Sequence, residues 1–179
     1  MVTMPDEPLV RLADRDGAGA GGPAGNGNAA HGGGGNGRPG VVTRRTELPV
    51  RVEEDLLEAR HAVRAAALAV DLGLVDQTRV VAAASELVRN AYIHGGGGTL
   101  VIEELSRVGS RGLRLTVTDE GPGIPDLDAA LDDGFSTGAG LGHGLGGARR
   151  LMHEFEVECP TGGGTTVRVT RWSPGATPG

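Results

Sequence analysis

Between Glu53 and Leu72 apolar residues recur every three to four positions, with Leu56, Leu57, Ala59, Val63, Ala67 and Val70 on one stripe. That period predicts a helix. Glu53, Glu54 and Asp55 lie in its first turn, where the helix dipole favours anions, and Gly73 stops it. A second stripe, Val80, Val81, Ala84, Leu87, Val88 and Ala91, predicts a helix from an N-cap at Asp76 to about His94, ended by Gly95–Gly98. The period then changes to two. Thr99–Leu105 and Leu113–Asp119 alternate as strands around a turn at Gly109–Gly112. After a loop rich in Gly and Pro, the pattern allows a short helix over Asp126–Asp132 and a flexible segment over Phe135–Gly142. A helix from about Gly144 to Phe155 and a hairpin of Glu156–Cys159 with Thr165–Trp172 close the chain. Ahead of all these, Arg44–Val52 alternates but carries Pro49, which suits an edge strand or extended arm. Two helices, a hairpin, a loop, a helix and a hairpin predict an α+β two-layer sandwich, a mixed sheet with helices on one face.

Composition marks where this pattern begins. From Asp16 to Gly40 about half the residues are glycine, which cannot bury enough apolar surface to offset backbone entropy. Residues 1–43 therefore read as a tail and tether, 44–172 as one domain, and 173–179 as a short C-terminal tail. The run Gly32–Gly35 is no phosphate loop, because no strand precedes it and no helix follows. With aromatics at 2%, the core must be built from Val, Leu, Ile and Ala.

A net charge of −6 argues against a nucleic-acid partner. No apolar run reaches the ~20 residues that span a bilayer. Asp6, Glu7 and Asp14 do not fit a signal peptide, so a cytoplasmic protein without a membrane partner is expected. Cys159 is the only cysteine, which leaves no internal disulfide, and it is expected as a small hydrophobe at a strand end. All 17 basic residues are arginine. A P-loop needs a lysine on its phosphates and a eukaryotic-type kinase needs a strand lysine, so both are excluded.

Four short motifs carry chemistry. Glu86 and Asn90 stand four apart and share one helix face. An Asn amide oxygen is a hard ligand suited to Mg²⁺, and a neighbouring carboxylate can orient or deprotonate a nucleophile. Asp119-Glu-Gly121-Pro-Gly123 places a carboxylate at a strand end before glycines that let backbone approach a ligand; adenine's exocyclic amine is a fitting donor. Gly138, Gly140, Gly142 and Gly144 lead into a helix, where exposed amides and the helix N-terminus suit phosphate. Gly162-Gly-Gly164-Thr165 turns into the last strand, with a hydroxyl able to reinforce the adenine contact. Each alone has an ordinary alternative: a solvated helix face, a surface turn, a flexible connection, a hairpin turn.

In this order the motifs E-x-x-x-N, D-x-G-x-G, G-x-G-L-G and G-x-G-T resemble the N, G1, G2 and G3 boxes of the GHKL superfamily of ATP-binding proteins, over about Asp55 to Trp172. The resemblance implies the Bergerat fold. It implies that Asp119 binds the adenine amino group with help from Thr165, that Gly121 and Gly123 shape the pocket, and that Asn90 coordinates Mg²⁺. Glu86 becomes the candidate base, and Gly138, Gly140, Gly142 and Gly144 belong to a lid over the phosphates. ATP and Mg²⁺ are the implied cofactors. His143 stands where the family usually has an apolar residue, which concerns lid packing.

The branch follows from what accompanies the boxes. His61 lacks the acidic neighbour and Pro-containing run of a phosphoacceptor histidine, and the chain has no room for the further domains of gyrase, Hsp90 or MutL. Segments such as S-E-L-V-R-N, D-E-G-P-G-I-P-D and G-L-G-G-A-R-R-L-M-H-E-F are similar to anti-sigma regulatory serine/threonine kinases, specifically the RsbT-like switch kinases of the stressosome. That resemblance implies phosphorylation of a STAS-domain antagonist in a partner-switching pathway, with a second switch target such as a phosphatase or sigma factor. Without lysine, phosphate charge falls to Mg²⁺, backbone amides and Arg149 or Arg150. A nucleotide-gated module that sequesters its partner with little phosphoryl transfer stays open as an alternative. So does a free-standing ATPase working through dimerisation.

Overall fold

A computed structural model describes residues 9–12, 40–132 and 144–175. Strand β1 (Leu9–Leu12) is followed by β2 (Val41–Val50), helices α1 (Glu53–Ala69) and α2 (Leu74–His94), and the hairpin β3 (Gly98–Arg107) and β4 (Ser110–Asp119). The short helix α3 (Leu127–Leu131), helix α4 (Gly144–Leu151) and the hairpin β5 (Glu154–Glu158) and β6 (Thr165–Trp172) complete the chain. One sheet runs in the order β1-β5-β6-β4-β3-β2. Every neighbouring pair is antiparallel except β1 with β5. The sheet is thus mixed, in the α+β architecture expected.

Alternation along the strands separates the two faces. Leu100, Ile102, Leu113, Leu115, Val117, Phe155, Val157, Val167 and Val169 point to one face and form a single core with Ala59, Val63, Ala67, Val80, Ala84, Leu87 and Val88 of the helices. The other face is polar. Cross-strand partners there pair by charge, Glu103 with Arg114 at 3.6 Å and Glu156 with Arg168 at 3.1 Å. At its far end Trp172 lies against Gly112, where a Cβ would come within 2.5 Å of the ring. Its indole N–H donates to Glu154 at 2.9 Å, and the Arg107 guanidinium stacks 3.8 Å from the ring centre.

Several expected boundaries move. Leu9–Leu12, inside the segment read as a tail, forms an edge strand, and β2 begins at Val41 rather than Arg44. Helix α1 ends at Ala69, three residues before Leu72, because Asp71 takes φ +59 and turns the chain. The β3–β4 turn falls at Val108 and Gly109, so Gly112 lies within β4. Helix α4 stops at Leu151, since Glu154-Phe-Glu-Val-Glu158 alternates and pairs with β6 instead. Cys159, just past β5, is half-buried against the core, as a small hydrophobe would be.

Asp76 is not the N-cap of α2. Gly73 holds that position, with the first helical bond from the Gln77 N–H to the Gly73 carbonyl. Asp76 sits in the first turn and accepts from Arg171 Nε at 2.9 Å and Nη2 at 2.6 Å, and from Arg79 Nη1 at 3.2 Å. Arg171 is buried on the helical side of β6, and its Nη1 also donates to the Leu151 carbonyl at 2.7 Å. One guanidinium thereby joins the end of the sheet to the start of α2 and the end of α4. At the start of α1, Asp55 accepts the backbone N–H groups of Arg51 and Val52 at 2.7 and 3.0 Å, and these bonds hold its carboxyl below the usual range.

Candidate functional site

Asp119 is the last residue of β4, directly opposite Gly98 at the start of β3 and Thr165 at the start of β6. Register therefore brings three segments far apart in sequence to one end of the sheet. Asp119 Oδ1 accepts the Gly121 N–H at 2.9 Å, which folds the Gly-Pro-Gly loop back over the strand end. Gly123 takes φ +81, a conformation that favours glycine. The Gly121 carbonyl in turn accepts the Gly164 N–H at 2.6 Å. Loop and hairpin turn are thus bonded to each other beside the carboxylate, with Thr165 buried between the strands. Among the described residues Asp119 Oδ2 has no hydrogen-bond partner.

Helix α2 closes the same end. Gly95, which follows His94, donates its N–H to the Ala91 carbonyl at 3.0 Å and lies against the Asp119 side chain. The last turns of α2, which carry Asn90, therefore adjoin the Asp119 end of the sheet. Glu86 and Asn90 are both half-buried on α2, one turn apart. Helix α4 packs on α2 through the buried residues Leu145, Gly146, Gly147 and Ala148 and starts at Gly144, with φ +60. Gly138, Gly140 and Gly142, with His143, lie outside the described residues. Arg149 and Arg150 fall in the last turn of α4, at the end away from Gly144.

The arrangement suits a planar base. One carboxylate oxygen is fixed by a backbone N–H and the other is open to a donor, while Gly95 and Gly121 let the helix end and the loop pack directly against the carboxylate. Among the described residues no group of three or more His, Cys, Asp or Glu gathers. A magnesium ion held by one amide oxygen and by phosphate oxygens requires no such group.

The sequence profile of the histidine kinase-like ATPase domain matches residues 48–171. The chain belongs to that GHKL-type family. It is 42% identical over 123 residues to the serine/threonine-protein kinase RsbT of Bacillus subtilis (strain 168), covering 69% of this chain and 92% of that protein. It is 32% identical over 120 residues to an anti-sigma F factor of Thermoanaerobacter sp. (strain X514), covering 64% and 82% respectively. The crystal structure of the RsbU and RsbW domains of Rv1364c from Mycobacterium tuberculosis superposes with a TM-score of 0.51 at 21% identity, over 75% of this chain and 35% of that one. That likeness concerns the fold.

For this family member one contributor to the site and one ion pair of the fold were not legible from the motifs. Gly95 reads in sequence only as part of a helix-stopping run of four glycines, and nothing local marks it as the one that touches Asp119. The Arg171–Asp76 pair spans 95 residues and has no local signature.

Proposed function

We propose that the chain is an ATP-dependent serine/threonine protein kinase of the anti-sigma regulatory type, acting on a STAS-domain antagonist protein in a partner-switching pathway. The observation that carries this reading is the half-satisfied Asp119 carboxylate, ringed by glycine backbone, beside the helix end that bears Asn90. It is the environment that an adenine nucleotide needs, in a chain that matches nearly the full length of a named serine/threonine kinase. Asp119 accepts the adenine amine through Oδ2, and the buried Thr165 backs it. Asn90 is the residue that would hold Mg²⁺, which supplies charge neutralisation at the phosphates when bound. Glu86, one turn earlier, accepts or orients the proton of the attacking hydroxyl. The chain's share of catalysis is thus positioning and electrostatics, as is general for phosphoryl transfer.

The similarity to anti-sigma F factors supports a second reading, a nucleotide-gated module that sequesters its partner. One experiment separates them. The protein is incubated with γ-labelled ATP, Mg²⁺ and STAS-domain proteins from the same cell, with Asp119→Asn and Glu86→Ala in parallel. A kinase puts label on a partner Ser or Thr. Asp119→Asn abolishes both transfer and ATP binding, whereas Glu86→Ala abolishes transfer with ATP affinity retained. ATP binding without transfer to any partner would favour the sequestering module, and no ATP binding would refute both.

A further inference from the structure

We propose that Gly95 is a specificity-determining positioning residue for the nucleotide base, acting through Asp119; this rests on the reading that Asp119 receives the adenine amine. A glycine after a helix ordinarily serves a left-handed backbone turn. Gly95 does not, since its φ and ψ are −91° and −7°, open to any residue. The left-handed positions are the next two, Gly96 at φ +70 and Gly97 at φ +109. Another reason must keep a side chain away from position 95, and the surroundings supply it. A Cβ there would run into the carboxyl carbon of Asp119 and approach its Cβ to 2.5 Å, with the Ala91 carbonyl at 2.7 Å.

From the other side Gly121 presses on the same spot. A Cβ at Gly121 would meet Gly95 Cα at 2.6 Å and Asp119 Oδ1 at 3.1 Å. The carboxylate therefore packs against two glycine backbones that also touch each other, with Oδ1 held by the Gly121 N–H. Position 95 sets where Oδ2 points. A methyl group at residue 95 must push the carboxylate aside, because its carbon would lie 2.5 Å from the Asp119 Cβ. Discrimination falls on the ligand atom that faces Oδ2. Adenine presents an amine donor there, whereas hypoxanthine presents a carbonyl oxygen that a carboxylate repels. Mg²⁺ and phosphate contacts, made elsewhere, are common to both nucleotides.

The test is the affinity for ATP and for inosine triphosphate, each with Mg²⁺, measured by calorimetry on the wild type, Gly95→Ala, Asp119→Gly and the double variant. Circular dichroism and thermal melting check the fold. The wild type should prefer ATP. Gly95→Ala should weaken ATP by about tenfold, the worth of one hydrogen bond to a charged group, and bring the ATP-to-inosine-triphosphate ratio toward one. A merely structural defect would weaken both nucleotides alike and leave the ratio. In the Asp119→Gly background, where the obstructed side chain and ATP binding are both lost, Gly95→Ala should add no further loss of thermal stability. If Gly95→Ala does not fold, recovery of the fold in the double variant supports the steric account, and failure to recover it counts against it. An unchanged ratio in folded Gly95→Ala overturns the proposal while ATP binding stands. A wild type that binds neither nucleotide, or does not distinguish them, overturns instead the assignment of Asp119 to adenine.

Discussion

Removing the Asp76 carboxylate should cost far more than its place in the first turn of a helix suggests. Its side chain is 16% exposed and that of Arg171 is 9% exposed, so the pair is largely withdrawn from water. In Asp76→Ala the Arg171 guanidinium keeps one neutral acceptor, the Leu151 carbonyl, and loses its counter-ion. Stripping one partner from a buried pair costs ~3–5 kcal/mol. The residual exposure of Asp76 places this case near the lower end, about 3 kcal/mol. Loss of a first-turn acid adds roughly 0.3–1 kcal/mol. For a domain of this size each kcal/mol moves Tm by about 3–5 °C, so a drop of ~10 °C or more is expected. The other arm of the cluster makes an internal control. Arg79 is 46% exposed, and its ion pair with Asp76 should be worth less than ~0.5 kcal/mol. Urea denaturation of Asp76→Ala, Arg79→Ala and the double variant Asp76→Ala/Arg171→Met gives the three values. The double variant should be more stable than Asp76→Ala, because no charge is left stranded. Equal and small losses in both single variants would refute the reasoning, since Asp76 would then be an ordinary surface residue.

Further expectations follow from single contacts. Phe155, fully buried at the centre of the core, should cost ~3–5 kcal/mol on replacement by Ala, measured by the same unfolding curves. Trp172→Phe loses the indole bond to Glu154 and the benzo ring that packs on Gly40 and Gly112, and should cost at least about 1 kcal/mol. Asp55 has a depressed pKa in the folded chain, so its contribution is present above the ordinary carboxylate value near ~3.9 and lost as pH falls through the folded value. Asp55→Asn should therefore destabilise at neutral pH and converge with the wild type in acid, which thermal melts across that range would read. A constant difference at all pH values would exclude this linkage.

Where apolar period alone decided an element, the sequence was a sound guide. The stripes of α1 and α2 and the alternation of β3, β4 and β6 face the core as their spacing requires, except Leu57, which is 54% exposed because it lies one residue off the buried line of Ala59, Val63 and Ala67. Ends were less legible, for physical reasons. Asp76 has the chemistry of an N-cap, but Arg171, which recruits it for an ion pair, is invisible to any local window. Phe155 fits either the apolar face of a helix or the inner face of a strand, and only the pairing of β5 with β6 decides. Leu9–Leu12 is four residues long and sits beside a glycine tract, too short a signal to read as a strand. At the site, the motif order singled out Asp119, Gly121 and Thr165, which the sheet register does bring together. The part played by Gly95 was not legible, because it depends on how closely a helix end approaches a strand end.

The lone tryptophan has a practical consequence. Trp172 pairs with Gly112, seven residues from Asp119 along β4, a separation of roughly 24 Å at strand rise. Its ring lies on the polar face, between the Arg107 cation and the Glu154 carboxylate. Ultraviolet emission of the intact chain should thus follow melting of the distal sheet and be silent to occupancy at the opposite end. Should nucleotide addition dim or shift that emission, the signal would have travelled the length of a strand, and the sheet would be a conduit rather than a scaffold.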